Sequence, residues 1–473
     1  MFIIFLLLWC AIFAVSVIKF KGVLLKPLFW FVMANIFIIG LSYTSGFIYK
    51  YPLRVSGLLY FIGLGATFAV GFLAAEKNIF GKLCKGRNKK PEPLPADEQR
   101  ISADRNENRL YRSFLFLVTV VGFIVYIIDF FLRNSLSDPN LHVAVNISSI
   151  GVIGKIMSLS GLLLWLFDCV YSVQNDKKIP LDAFIAAGIY LVPALITSGR
   201  QSMLIFIAAT ASAVGFTFLS HRKYRYRKNI LICIVCLFVL LVAFCVYVAV
   251  FRQYSTDKSE IFEKMFACTV SAGSRKLLNK TGFLKSLLLE VVGYYSHELP
   301  MFQLFLDNWS GPFFLGASQL TIISQNLPAS SPFNYANMWS FLQEIADRNG
   351  IYSHTWRSYA ANFIIDFGFV GAFFAVLAVG LLCGWLYRRA IKRRRVSDIV
   401  LISLICSGMF FSMQYSPLAE GYWTYPMLWL CIGYPVIRFV LKKIEAFPVF
   451  RKAMNKLPGR MGALYFGTEN TKK

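Results

Sequence analysis

Four ionisable side chains lie inside or next to long apolar runs of this sequence: Asp129, Lys155, Arg200 and Asp366. A charge in hydrocarbon is costly, so such residues are usually retained for a function. Arg200 lies in a Gly-flanked turn, where an exposed guanidinium can bind a phosphate through two parallel hydrogen bonds. If all four converge, they form a polar cavity at one side of a membrane.

Each of these residues also has a purely structural interpretation. Arg200 can extend towards the membrane surface and keep its charge in water. Asp129 and Lys155 can form an ion pair, and Asp366 can act at the start of a helix. The sequence leaves both interpretations open.

Residues 252–357 form a long segment whose charges nearly cancel, with nine Lys or Arg against eight Asp or Glu. Most other connectors are basic, and excess Lys and Arg marks connectors on the cytoplasmic side. We therefore expect this segment outside the cytoplasm. Apolar spacing over residues 276–305 and 338–345 predicts amphipathic helices within it, separated by a turn-rich stretch.

The composition identifies the class of protein. Of 473 residues, 57% are hydrophobic and 15% are charged, too apolar for a soluble chain of this length. We predict an all-α fold: a polytopic helical membrane protein with about 11 transmembrane helices and one large extracytoplasmic loop containing amphipathic helices. The predicted spans are 2–18, 27–47, 57–75, 114–132, 147–173, 181–199, 202–220, 229–251, 359–387, 399–414 and 423–441.

Alternate connectors are basic, which predicts an outside N-terminus and a cytoplasmic C-terminus. The same pattern divides the chain into six parts. These are N-terminal transmembrane helices 1–75, a basic cytoplasmic linker 76–113, central transmembrane helices 114–251, a large periplasmic loop 252–358, C-terminal transmembrane helices 359–441 and a basic cytoplasmic tail 442–473.

Several functions are disfavoured. The net charge of +25 comes mainly from connectors and the tail, as topology requires, so we expect no nucleic-acid partner. Cys233 and Cys236 form a CxxC inside an apolar run without a second pair, and the chain has only four His. We therefore expect neither a metal site nor a cofactor.

Three segments resemble the oligosaccharide repeat-unit polymerases, the Wzy or O-antigen polymerase family. TSGRQSMLIFIAA, around Arg200, is similar to that family's span-turn-span segment. GYYSHELPMFQLFLDN resembles a stretch within its large periplasmic loop. HTWRSYAANFIIDFGFVGAFF resembles the segment that opens the span after that loop. The family's later motif often has Asn where His354 stands here, which is a departure.

The resemblance implies transfer of a growing glycan from undecaprenyl diphosphate onto a new lipid-linked repeat unit. Such a reaction needs fixed cations at the departing diphosphate, and a general base at the acceptor hydroxyl. The candidate general bases, which the sequence does not rank, are His354, Asp366, Glu298 and His297. The candidate residues for binding diphosphate or glycan are Arg200, Arg252, Arg275, Lys155, Arg357, Tyr294 and Trp356.

The resemblance also implies the partners and the location. The partners are an undecaprenyl-diphosphate-linked oligosaccharide and membrane lipid, with a chain-length regulator protein as a further candidate. The location is the bacterial inner membrane, and the product is O-antigen or capsule. Two alternatives stay open: an O-antigen ligase, which transfers to a lipid core, and a polysaccharide transporter or flippase.

Overall fold

A computed structural model of the chain describes residues 2–19, 26–79, 97–134, 148–196, 200–220, 239, 267–272, 292–293, 295–311, 313–325, 327–351, 358–413, 416–419 and 421–445. These residues are almost entirely helical. The elements, in chain order, are α1 Phe2–Lys19, α2 Pro27–Thr44, β1 Phe47–Tyr49, α3 Val55–Glu76, α4 Asp97–Arg133, α5 Ser149–Ser158, α6 Gly161–Gln174, α7 Leu181–Ile196, α8 Arg200–Ser220, β2 Cys268–Val270, α9 Glu298–Asn308, α10 Thr321–Ser324, α11 Tyr335–Asn349, α12 Ser358–Arg393, α13 Val396–Phe411, a 3₁₀ turn Pro417–Ala419, α14 Gly421–Leu428, a π-helical turn Trp429–Gly433 and α15 Tyr434–Glu445.

Five stretches in the described part of the chain are long and apolar enough to cross a membrane. They are Pro27–Thr44, Val55–Glu76, Tyr111–Arg133, Ser149–Gln174 and Ser358–Arg393. Four shorter apolar helices accompany them, in α1, α7, α8 and α13. The chain is therefore a mostly helical protein with several helices that could span a membrane. The count of about 11 stays a prediction, and residues 229–251 lie outside the described residues except for Val239.

Two elements differ from the sequence prediction. The predicted span 147–173 is divided into α5 and α6, and at the division the hydroxyls of Ser158 and Ser160 donate to the carbonyls of Lys155 and Met157 at 2.8 and 2.6 Å. The linker 76–113 is partly helical, because α4 begins at Asp97, after Pro95. Its residues there include many good helix formers, so α4 extends beyond its apolar part.

Contacts divide the chain into two compact units. The first comprises Met1–Cys84, Val170–Lys178 and Arg200–Thr424, and the second comprises the rest. In the second unit, α4 and α5 pack closely, since a Cβ on Gly122 would lie 2.8 Å from the carbonyl oxygen of Gly154. There, too, Arg112 donates to Asp168 at 2.6 Å and to Asp182 at 2.5 Å, which joins α4, α6 and α7.

In the first unit, α3 and α12 run parallel in close contact through glycines. A Cβ on Gly380 would lie 2.4 Å from the carbonyl oxygen of Phe68, and one on Gly384 would lie 2.2 Å from that of Phe72. A Cβ on Gly71 would meet the carbonyl oxygen of Leu377 at 2.6 Å. Small residues four apart let helix backbones approach in this way inside membranes. Since α12 carries Asp366, this seam positions the candidate site.

We expect Gly380→Leu to lower the yield and thermal stability of the protein, because the new side chain must push α3 away from α12. Overpacking of this kind costs about 1–3 kcal/mol, and more against backbone. Unfolding temperature in mild detergent measures the effect. Gly188→Leu is the matched control, since a Cβ at Gly188 meets nothing within 4 Å. Equal stability of the two variants would contradict the importance of the seam.

Polar contacts hold several of the basic connectors close together at one end of the first unit. The Lys26 ammonium lies 2.6 Å from Glu76 and 5.7 Å from the ring centroid of Tyr387. Gln174 donates to the carbonyl of Arg394 at 3.0 Å. These connectors are those predicted to share one side of the membrane. Which side this end faces stays a prediction.

Candidate functional site

At another part of the first unit, a two-stranded sheet joins residues far apart in the sequence. β1 pairs antiparallel with β2, with Phe47 opposite Val270. The hydroxyl of Tyr49, in β1, lies 2.5 Å from that of Ser296, just before α9. Burial raises the pKa of Tyr49, and its hydrogen bond to Ser296 offsets only part of that effect. The phenol is therefore neutral, and it fixes the chain that leads into α9.

His297 and Glu298 begin α9 in a buried environment. His297 is 1% exposed and Glu298 is 0% exposed. His297 Nδ1 lies 2.9 Å from the carbonyl oxygen of Gly293. Because a carbonyl only accepts, Nδ1 carries the proton, and Nε2 is the basic nitrogen when the ring is neutral. A basic imidazole nitrogen and a carboxylate are thus adjacent in sequence.

Glu298 connects α9 to the start of α12. The backbone N–H of Ser358, the first residue of α12, donates to Glu298 Oε2 at 3.2 Å. Ser358 has a φ of 67°, in the left-handed region, and is fully buried. A residue other than glycine held there costs about 1–3 kcal/mol and requires support from its surroundings. The Glu298 carboxylate supplies part of that support.

Asp366 lies further along α12 and holds a different segment. Its Oδ1 accepts from the backbone N–H of Ser318 at 3.0 Å, and its Oδ2 lies 2.8 Å from the Ser318 hydroxyl. That hydroxyl is also 3.0 Å from the carbonyl oxygen of Asn362, one turn before Asp366. Asp366 is completely buried. Its carboxylate therefore fixes the segment around Ser318 against α12.

A break in α12 completes this arrangement. Gly368 has φ 72° and ψ 178°, so the helix is interrupted there. The carbonyls of Ile365 and Asp366 accept instead from Phe314 at 3.1 Å and Leu315 at 3.0 Å. A Cβ on Gly368 would lie 2.4 Å from the Phe313 ring. The glycine thus permits both the break and the approach of the crossing segment.

Two further side chains attach the chain after α13 to this cluster. Asn362 Oδ1 accepts from the backbone N–H of Ser416 at 3.2 Å. The Ser416 hydroxyl also contacts Gln319 Oε1. Ser318, Gln319, Asn362, Asp366 and Ser416 therefore form one polar cluster at the broken helix, in which all but the half-buried Asn362 are buried.

The structure separates two of the predicted site residues. Glu298 binds the first residue of α12, whereas Asp366 is eight residues later, about 12 Å along a helix axis. His297 and Glu298 lie together. Asp366 and Glu298 thus hold different parts of the chain through different partners.

Asp129 and Lys155 belong to the second unit. Asp129 accepts from the backbone N–H of Ser148 at 2.8 Å and from its hydroxyl at 2.6 Å, next to α5. It also accepts from Arg133 at 3.0 Å. Lys155 lies within α5. These hydrogen bonds assign Asp129 a task at the start of a helix.

The remaining predicted residues are described only in part. The backbone of Arg200 begins α8. Outside the described residues lie His354, Arg252, Arg275, Arg357, Tyr294 and Trp356.

Sequence reasoning missed several polar residues of the site, namely Tyr49, Ser296, Ser318, Asn362 and Ser416. Only Asn362 had a recognisable signal, because it precedes Asp366 by four residues and so shares its helix face. The others depend on tertiary contacts, because their hydrogen-bond partners lie far away in the sequence.

We expect Asp366→Ala to destabilise the protein more than Asp366→Asn does. Asn keeps one acceptor for the Ser318 N–H, whereas Ala leaves that buried donor unpaired, at about 1–3 kcal/mol. Thermal unfolding in detergent measures the difference. Asp347→Asn, at an exposed position of α11, is the control. If Asn and Ala are equally destabilising, the hydrogen bonds to Ser318 are not what Asp366 contributes.

Within the described part of the chain, no group of three or more His, Cys, Asp or Glu side chains is arranged to hold a metal ion. Comparison with protein-family models gives no match, and comparisons with characterised proteins and with solved structures give none either.

Proposed function

We propose that this chain polymerises a surface polysaccharide, O-antigen or capsule, in the bacterial inner membrane. It would transfer a growing glycan from undecaprenyl diphosphate onto a new lipid-linked repeat unit at the periplasmic face. The N-terminus would lie outside and the C-terminus in the cytoplasm.

One observation carries the proposal. Two of the three segments that resemble the polymerase family, residues 293–308 and 354–374, are far apart in sequence but bonded to each other. Glu298 of the first accepts from Ser358 of the second, and α9 packs against α12. The two segments, which flank residues 309–353 in the sequence, therefore meet at the buried carboxylate of Glu298 and the neighbouring imidazole of His297.

The reaction assigns a task to each group. The acceptor hydroxyl attacks the anomeric carbon of the donor glycan and loses its proton to a general base. The bond between that carbon and the diphosphate oxygen breaks, and undecaprenyl diphosphate leaves with the electron pair. We propose Glu298 as the base and His297 as the group that then relays the proton.

Cations must stabilise the departing diphosphate, since no nucleotide-bound metal accompanies a lipid diphosphate donor. We propose Arg200 for this task, with Arg252, Arg275, Lys155 and Arg357 as further candidates. Tyr294 and Trp356 are candidates for stacking on sugar rings. Asp366, whose oxygens bind Ser318, is better suited to positioning than to proton transfer.

The test is an assay with purified full-length protein in lipid vesicles and one defined undecaprenyl-diphosphate-linked repeat unit. We expect a ladder of lipid-linked products that differ by one repeat unit. A ligase would give no ladder and would instead transfer the glycan when lipid A core is added. A flippase would move the substrate across the vesicle membrane without elongating it, and either result would reject the proposal.

A further inference from the structure

One face of α12 is exposed along its whole length after the break at Gly368. Its exposed apolar residues are Val370, Phe374, Leu382 and Trp385, at 73%, 69%, 54% and 50% exposure. Their spacing keeps them on one side of the helix. From Val370 to Trp385 the stripe is about 22 Å long, comparable to much of a bilayer's hydrocarbon core. It is therefore suited to contact lipid tails.

The end of α12, seven residues beyond Trp385, is cationic. Lys392 and Arg393 end α12, and Arg394 follows at a φ of 50°; all three side chains are exposed. An apolar stripe that ends in Trp and then in cations is the order found where a helix leaves hydrocarbon and enters the headgroup layer.

The carboxylate of Asp398, which lies near these cations in the sequence, already forms an ion pair with another arginine. Asp398, at the start of α13, is 3% exposed and binds Arg389 at 2.7 Å. The Arg389 guanidinium also lies 5.6 Å from the ring centroid of Trp385. In the part of the chain that the structure describes, Lys392, Arg393 and Arg394 form no ion pair. Three exposed cations therefore stand together at the end of the apolar stripe.

We propose that Lys392, Arg393 and Arg394 bind the headgroup of an anionic phospholipid whose tails lie along the exposed face of α12. The phosphate would contact the cations, and the acyl chains would pack against Leu382 and Trp385. A free phosphate would gain only the cations, and an acidic protein segment would leave the adjacent apolar stripe uncovered. The combination of both surfaces favours a lipid.

The test compares phosphatidylglycerol with phosphatidylcholine, using native mass spectrometry of the purified full-length protein in detergent. We expect the wild-type protein to prefer phosphatidylglycerol. Replacing all three cations by Gln should reduce its affinity for phosphatidylglycerol by roughly fivefold per cation, hence about 100-fold in total. Affinity for phosphatidylcholine should change little.

Two further variants make the result specific. Replacing Arg393 and Arg394 by Lys retains the charge and should retain the preference. A control with Arg54, Arg133 and Arg348 replaced by Gln removes as much charge from arginines that already have carboxylate partners, so it should bind lipid as wild type does. Equal lipid preference in the Lys392/Arg393/Arg394→Gln variant and the wild type overturns the proposal. Displacement of phosphatidylglycerol by inorganic phosphate alone overturns it as well, because the site would then not require a lipid.

Discussion

Glu298→Gln should reduce chain extension by roughly 10²–10⁴-fold, the usual contribution of a positioned general base. Gln has nearly the same shape as Glu, and its carbonyl oxygen can still accept from the Ser358 N–H at the start of α12. Its amide cannot take a proton from an acceptor hydroxyl. The variant therefore removes the proposed chemistry while retaining the hydrogen bond. Ladder formation from the defined lipid-linked repeat unit measures the loss.

The structural role of Glu298 needs its own readout. Because the carboxylate is buried and supports Ser358, a partial loss of stability would also lower activity. Thermal unfolding of the purified variant separates the two effects: a base predicts lost turnover with a nearly unchanged unfolding temperature. Glu344→Gln, at an exposed position of α11 beside Arg348, is the matched control. Wild-type ladder formation by Glu298→Gln would remove Glu298 as the base.

Local sequence patterns were sufficient to locate several of the described helices but not their breaks. The apolar run of α3 and that of α12 identify both elements directly, since run length and composition determine a membrane helix. The break at Gly368 was not predicted. It depends on the crossing of residues 313–320, whose N–H groups bind carbonyls of α12. The sequence near Gly368 gives no indication that residues 313–320 cross the helix there.

The candidate site was predictable in residue type but only partly in arrangement. His297 and Glu298 were two of four unranked candidate bases, and they lie together at the start of α9. Asp366 was identified because a carboxylate in an apolar run is costly, and the structure supplies its hydrogen bonds from Ser318. Neither the residue type of Ser318 nor the sequence around it indicates a functional role. Ser318 becomes the partner of Asp366 only through the tertiary fold.

Arg200→Ala should lower chain extension by roughly 10²–10³-fold, the effect of removing one preorganised group that stabilises developing negative charge. Arg200 is the first residue of α8, where the free backbone N–H groups of a helix add positive potential. It belongs to the same compact unit as Glu298. A cation at this position is suited to bind a lipid diphosphate, because negative charge develops on the diphosphate as it leaves.

Arg200→Lys separates charge from geometry. Lys keeps the positive charge but loses the planar fork that binds two phosphate oxygens at once, so we expect activity between that of wild type and Ala. Arg348→Ala and Arg348→Lys are matched controls, since Arg348 is exposed and pairs with Glu344 on its own helix. All variants must first be shown to accumulate in the membrane at the wild-type level. Unchanged glycan length in Arg200→Ala would exclude Arg200 from the site. If Arg200→Lys is as inactive as Arg200→Ala, the diphosphate requires the planar guanidinium and not only its charge.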